Sequence, residues 1–311
     1  VDVYAIPLTT RFRGTTVREG LLIEGPAGWG EFCAFPEYPD AEAAAWFAGA
    51  REAAFDGWPA PVREMVPVNC IVPAVGPEQA ADMVRASGCA TAKVKVADHP
   101  DSAGEDLERV AAVRDALGSA GHVRVDANTG WAVDEAVVAI RALDRAAGGL
   151  QYVEQPCATL DELAAVRRRV DVPIAADEAI RRAADPLRVS LTDAADVAIL
   201  KALPLGGVRR ALQVAEAVGL PCVVSSALES SVGLAAEIAL AAALPSLDYA
   251  CGLGTGRLFT TDVVADADRL LPVNGELPVL RRAPDPVRRH QVAADAERTR
   301  WWRERAGRLI T

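Results

Sequence analysis

Arg124-Val125-Asp126-Ala127-Asn128-Thr129-Gly130-Trp131 reads as a short strand that ends in a carboxylate. Two more strand ends of this kind follow, at Glu154 in YVEQP and at Asp177 in PIAADE. The intervals are 154 − 126 = 28 and 177 − 154 = 23 residues, each room for one helix and the return to a next parallel strand. Parallel strands joined by helices bring their carboxyl ends to one rim, so three carboxylates are expected to meet there.

The same alternation runs outward from this stretch in both directions. Upstream, PVNCIV reads as a first strand, PEQAADMVRASG as a helix opened by Pro77 and closed by Gly88, TAKVKV as a second strand and SAGEDLERVAAVRDALG as an amphipathic helix. Downstream, LQYVEQP, VPIAADE, ADVAILKA, PCVVSSALES and the weakest, LDYACGLGT, complete eight strands. That count and spacing predict an α/β fold of (β/α)8 type, a TIM barrel, over residues 67–256. Residues 1–66 differ: strand-like runs at Val3–Leu8 and Leu21–Ile23 precede an Ala-rich helix at 41–54, the pattern of a separate α+β capping domain. Residues 257–311 no longer alternate, and LPVNGELPVL followed by the helix ADAERTRWWRERAGRLI is expected to return to that cap. Trp301 and Trp302 are read as packing or subunit contacts, which leaves a homo-oligomer open.

Side chains alternate along a strand, so Lys93 and Lys95 share one face of TAKVKV, and Arg124, Asp126 and Asn128 share one face of the next strand. Both faces of a parallel barrel strand are normally apolar, and two inward lysines are costly to bury without a purpose. Lys201 ends the sixth strand after the apolar run VAIL. A single acid at a strand end is most often a helix cap. Three on successive strands, flanked by lysines, have no common structural use. Three carboxylate oxygens suit one Mg²⁺ ion, with Mn²⁺ as a substitute; the set has no His or Cys to favour Zn²⁺. His99, His122 and His290 fall outside the ligand positions. A lysine beside a divalent cation and partly out of water has its neutral form favoured, as a general base requires.

A formal charge of −10 on 311 residues, with no dense basic tract before the C-terminus, argues against nucleic acid or an anionic membrane as partner. Six scattered cysteines without a CxxC read as buried hydrophobes of a reducing compartment. No run of 18 apolar residues and no charged leader with an apolar segment is seen, so the expected location is the cytoplasm.

TAKVKV, RVDANTGW, VEQP, AADE and LK, in this order along a barrel, resemble the enolase superfamily in its muconate lactonizing enzyme subgroup. The resemblance covers nearly the whole chain. It implies Asp126, Glu154 and Asp177 as Mg²⁺ ligands and Lys95 and Lys201 as paired lysines over a carbon acid. RFRGTTVREGLLIEG, SSALESSVG and CGLGTG look most like an actinobacterial branch of that subgroup. Its members dehydrate 2-succinyl-6-hydroxy-2,4-cyclohexadiene-1-carboxylate in menaquinone biosynthesis, so the implied partner is this small cyclohexadiene dicarboxylate. An N-acylamino acid racemase, using both lysines as bases, and a non-catalytic binding barrel are the alternatives. The acidic pair by which dipeptide epimerases hold a substrate amine is absent from CGLGT.

Around this centre several roles stay open. Lys93 is expected to tune Lys95 or touch substrate, and Arg124 to pair with a carboxylate or bind substrate. Ser225, Ser226, Glu229 and Ser230, with Gly254, are expected to shape the mouth beyond the seventh strand. Backbone NH groups there would hold the succinyl carboxylate, unless Ser226 or Ser230 simply caps the helix. Arg11 to Arg18 is expected either to close over the site as a mobile loop or to be solvated.

Overall fold

The computed structural model describes residues 2–310. Its N-terminal part is a three-stranded antiparallel sheet of β1 (Asp2–Phe12), β2 (Thr15–Gly25) and β3 (Gly28–Phe32), followed by α1 (Asp40–Arg51) and a wide helical turn at Glu52–Asp56. The chain then crosses through β4 (Met65–Pro67) and alternates: β5 (Cys70–Val72), α2 (Pro77–Ser87), β6 (Thr91–Lys95), α3 (Ala103–Leu117), β7 (His122–Asp126), α4 (Val133–Ala147), β8 (Leu150–Glu154) and α5 (Leu160–Arg167). It continues with β9 (Ile174–Ala176), α6 (Glu178–Arg181), β10 (Val197–Leu200), α7 (Val208–Val218), β11 (Cys222–Val224) and α8 (Ser231–Ala243). The last elements are β12 (Glu276–Pro278), α9 (Pro286–Gln291) and α10 (Ala296–Arg308).

β5 to β11 form one parallel sheet in sequence order, seven strands wide. It is curled, since Lys93 on β6 lies 3.4 Å from Ser225 at the end of β11. The valines of β7, Val123 and Val125, are fully buried in the main hydrophobic core, while Arg124 and Asp126, which alternate with them, face the inside of the curl. TAKVKV lies inside the sheet, as read from the sequence: β6 is hydrogen-bonded to β5 on one side and β7 on the other.

Two strand assignments need correction. PVNCIV is not one strand: Met65–Pro67 pairs antiparallel with β12, and only Cys70–Val72 joins the parallel sheet. Asn69 between them donates its side-chain NH to the Cys70 carbonyl, which breaks the run. LDYACGLGT does not form a regular strand either; Cys251 bridges Val68 and Gly252 bridges Ser225, both in parallel sense, and the chain turns away at Gly254–Leu258. The two glycines flanking Leu253 weaken extended structure there.

The C-terminal segment seals the N-terminal sheet. Trp302 is fully buried, stands edge-on to Phe32 with ring centroids 5.4 Å apart, and donates its indole NH to Glu19 at 3.0 Å. Arg305 spans carbonyls of Ala34, Phe35 and Tyr38. Both tryptophans therefore pack within the chain, where they touch each other at 5.1 Å.

Two carboxylates from the N-terminal part cap helices of the parallel-sheet part. Glu52 accepts from the NH groups of Val208 and Arg209, at 2.5 and 3.1 Å, at the start of α7. Glu31, fully buried on β3, accepts from the NH groups of Ser230 and Gly233 at 3.0 and 2.9 Å, from the Ser230 hydroxyl, and from the Tyr4 hydroxyl at 2.6 Å. Removing it leaves buried donors without an acceptor. Glu31→Ala is expected to destabilise the fold by about 2–4 kcal/mol, read as a lowered urea midpoint at constant m-value. An unchanged midpoint would show that α8 does not depend on this cap.

Candidate active site

Register fixes the centre of the site. Lys95 pairs with Asp126, Asp126 with Glu154, and Glu154 with Ala175, two residues before Asp177. The four charged ends thus stand side by side at one rim, with Lys201 following β10.

All three carboxylates are essentially buried and each meets an ammonium group. Lys93 lies 2.7 and 3.0 Å from the two Glu154 oxygens and 3.4 Å from Asp126. Lys95 donates to Asp126 and, at 2.7 Å, to Asn128; Lys201 donates to Asp177 at 2.5 Å. Burial pulls Lys95 below the ordinary lysine range, against the raising effect of Asp126, with the charges of Lys93 and Arg13 pushing the same way as burial. Burial acts likewise on Lys93, but Glu154 and Asp126 outweigh it and hold that ammonium above its usual range. Glu154 is pushed up to about 7 by burial and by the neighbouring Asp126.

A narrow cavity opens onto this centre. Its walls include Lys93, Lys95, Asp126 and Lys201 from the strand ends, Ser225 and Ser226 beyond β11, and Phe12, Arg13 and Phe35 from the N-terminal part. Glu154 and Asp177 lie behind that surface, both fully buried.

Other residues expected at the site are placed elsewhere. Among the described residues Arg124 meets no carboxylate: it donates to Gln151 at 2.6 Å, to Asn69 and the Tyr152 hydroxyl at 3.2 Å, and to the Ala250 carbonyl at 2.7 Å. One pleat below Asp126, it fills the inside of the curl and is fully buried. Glu229 is folded back on its own turn, accepting from the Ala227 NH and the Ser226 hydroxyl. Ser230 caps α8, accepting from the Val232 NH. The NH groups at the start of α8 are already engaged, since Ser230 and Gly233 donate to Glu31 and Ser231 to Asp262, so they are not free to receive a succinyl carboxylate. Gly254 is packed against backbone; a Cβ there would lie 2.5 Å from the Asn69 carbonyl oxygen. Arg11 to Arg18 is not an irregular loop but the tip of the β1–β2 hairpin; Arg11, Arg13, Gly14, Thr16 and Val17 are solvated, as one of the two readings expected, while Phe12 is buried and Arg18 is buried with its guanidinium 4.2 Å from the Phe35 ring centroid.

Sequence reasoning missed the support around Asp177. Gln155 accepts from the NH groups of Asp177 and Ala179 at 2.8 and 3.2 Å. Arg181 binds Asp177 at 3.1 Å and Glu178 at 2.8 Å, and Glu178 accepts from Asn128 at 3.2 Å. The clue available was AADEAIR, where an acid and an Arg fall three and four residues apart on one helical turn.

The Enolase C-terminal domain-like family matches residues 77–284, and the Enolase N-terminal domain-like family matches residues 3–54. An o-succinylbenzoate synthase of Thermobifida fusca (strain YX) is 66% identical over 278 residues, which is 89% of this chain and 86% of that protein. The chain belongs to the enolase superfamily, among the o-succinylbenzoate synthases. A second relative of the same name, from Mycolicibacterium smegmatis, is 55% identical over 98% of this chain and 93% of its own length. Among solved structures, 2-chloromuconate cycloisomerase from Rhodococcus opacus 1CP has the same fold, with a TM-score of 0.78 at 23% identity, covering 94% of this chain and 98% of the other.

Enolase-superfamily enzymes use Mg²⁺, and the donor set here suits that ion. Among the described residues no three carboxylate, imidazole or thiol groups form a ready cluster, since each acid is turned toward a lysine. Yet three acids on adjacent strands supply only oxygen donors, and Glu154 is raised by burial and then by repulsion from Asp126 and Asp177. A dication among them would relieve that repulsion.

Proposed function

We propose that this chain is a Mg²⁺-dependent o-succinylbenzoate synthase that dehydrates 2-succinyl-6-hydroxy-2,4-cyclohexadiene-1-carboxylate in the cytoplasm. The observation that carries this reading is the 66% identity to a relative of that name over most of both chains. A paired-lysine site in register with three acids supports it, as do the six free cysteines. In this reading residues 67–256 are the catalytic barrel, closed through the bridges at Cys251 and Gly252, while residues 1–66 and 257–311 build the cap.

Asp126, Glu154 and Asp177 would hold the ion. When bound, it supplies positive charge beside the ring carboxylate and lowers the cost of the negative charge that grows there. Neutral Lys95, favoured by burial, takes the ring proton α to that carboxylate. The electron pair moves into the carboxylate to give an enediolate, and the Lys201 amine, hydrogen-bonded to Asp177, faces that charge from across the curled sheet. The pair then returns to the ring as the hydroxyl departs, taking the proton back from Lys95. The water lost carries both, and the ring is aromatic.

Aromatisation followed by absorbance tests this. Chelation of Mg²⁺ is expected to lower turnover at least about 100-fold, and added Mg²⁺ to restore it. Absence of aromatisation with Mg²⁺ present would refute the assignment.

A further inference from the structure

The turn of the β1–β2 hairpin is made of only two residues, Arg13 and Gly14, between the paired Phe12 and Thr15. Both have positive φ, 50° and 78°, as a tight hairpin turn with right-handed strand twist demands. Glycine and asparagine suit the first position; arginine gains nothing there from backbone preference and is disfavoured sterically. The side chain is what this position retains, and it is aimed into the cavity that holds Lys95 and Lys201.

In that cavity Arg13 is weakly engaged. Its guanidinium lies 5.6 Å from the Phe35 ring centroid and 3.7 Å from the Glu178 carboxylate, too far for a hydrogen bond. Glu178 is already matched by Arg181 at 2.8 Å. The other donors nearby are occupied: Ser226 donates to Glu229 at 2.6 Å, Thr255 lies 2.8 Å from Ser226, and the α8 NH groups serve Glu31 and Asp262. Lys93, Lys95 and Lys201 each face a carboxylate of the centre. The proposed substrate brings two carboxylates, and only one belongs beside the ion.

We infer that Arg13 receives the distal carboxylate of the succinyl side chain, making the hairpin tip a specificity-determining element. This rests on the proposed reaction for its ligand. The keto-acid chain would run from the lysines toward the hairpin, between Phe12 and Phe35, with its charged end on the guanidinium. A planar fork with two NH groups suits a carboxylate better than any other donor in the cavity.

The test is calorimetric binding of the aromatic product, 2-(3-carboxypropanoyl)benzoate, and of its terminal amide to the Mg²⁺-loaded protein, beside turnover of the cyclohexadiene. The wild type is expected to bind the acid about 10- to 100-fold more tightly than the amide. Arg13→Met should lose that preference by weakening the acid alone, and Arg13→Lys should keep part of it. Arg13→Asn, which the turn itself favours, separates loss of charge from loss of the hairpin and should behave like Arg13→Met. Equal affinities in the wild type, or an equal loss of both ligands in Arg13→Met and Arg13→Asn, would overturn the inference. If the wild type aromatises the cyclohexadiene but shows no preference, the inference falls and the reaction stands. If it prefers the acid without turnover, the subsite stands and the reaction falls; if it neither turns over nor binds, both fall.

Discussion

Lys95→Ala is expected to lower kcat for dehydration at least about 1,000-fold while leaving the fold intact, because one amine both takes the ring proton and returns it to the leaving group. The truncation strands no charge: Asp126 keeps Lys93 at 3.4 Å, and the Lys95 ammonium is itself partly exposed at the cavity wall. The thermal midpoint should therefore move little. Arginine offers a sharper comparison. Lys95→Arg holds the charge but supplies no usable base, so it should be nearly as inactive as the alanine variant. Lys201→Arg keeps the cation, which is all dehydration asks of that side, and should retain far more activity than Lys95→Arg. Equal loss in both arginine variants would point to two proton-transfer bases, the arrangement a racemase needs. Full activity in Lys95→Ala, by the aromatisation assay, would remove Lys95 from the mechanism.

Glu154→Gln should weaken Mg²⁺ binding at least about 100-fold, measured by titration calorimetry, and turnover at non-saturating Mg²⁺ should fall with it. Glu154 is the middle acid of the three and fully buried, so no solvent charge can replace the one removed. The amide has nearly the same shape and still offers an oxygen to Lys93, so a large change in far-UV circular dichroism is not expected. High Mg²⁺ should recover part of the activity. Wild-type affinity for the ion in this variant would show that the acids of β7 to β9 are not its ligands.

The alternation of strands and helices was legible because each element carries its own punctuation. PEQAADMVRASG is bounded by Pro77 and Gly88, and Gly88 does adopt the left-handed conformation that ends a helix. The facing of Lys93, Lys95 and Asp126 followed from period two alone and holds in the register of β6 and β7. Arg124 shows the limit of that rule. Period two gave its face correctly, and Tyr152 lies on the adjacent β8, but Asn69 and the Ala250 carbonyl come from beyond the neighbouring strands, where sequence spacing says nothing. The start of α8 was misjudged for the same reason. Its NH groups are met by Glu31, some two hundred residues earlier, and by Asp262 after the helix. The hairpin tip could have been found: an Arg-Gly pair between two strand-like runs is a turn signal, and it argues for a tight hairpin over a longer irregular loop.

The closure of the N-terminal sheet by the C-terminal segment fixes an order of events during synthesis. Tyr4 bridges Ala293, and Glu19 waits for Arg298 and Trp302. On the ribosome β1 to β3 emerge well before the segment that completes them, at a time when the helices and strands between the two can already have formed. At about 5–20 residues per second that interval is of the order of 15 seconds to a minute. During it the apolar side of β1 and β2, with Phe32 still uncovered by Trp302, is the surface of the nascent chain most in need of protection from aggregation.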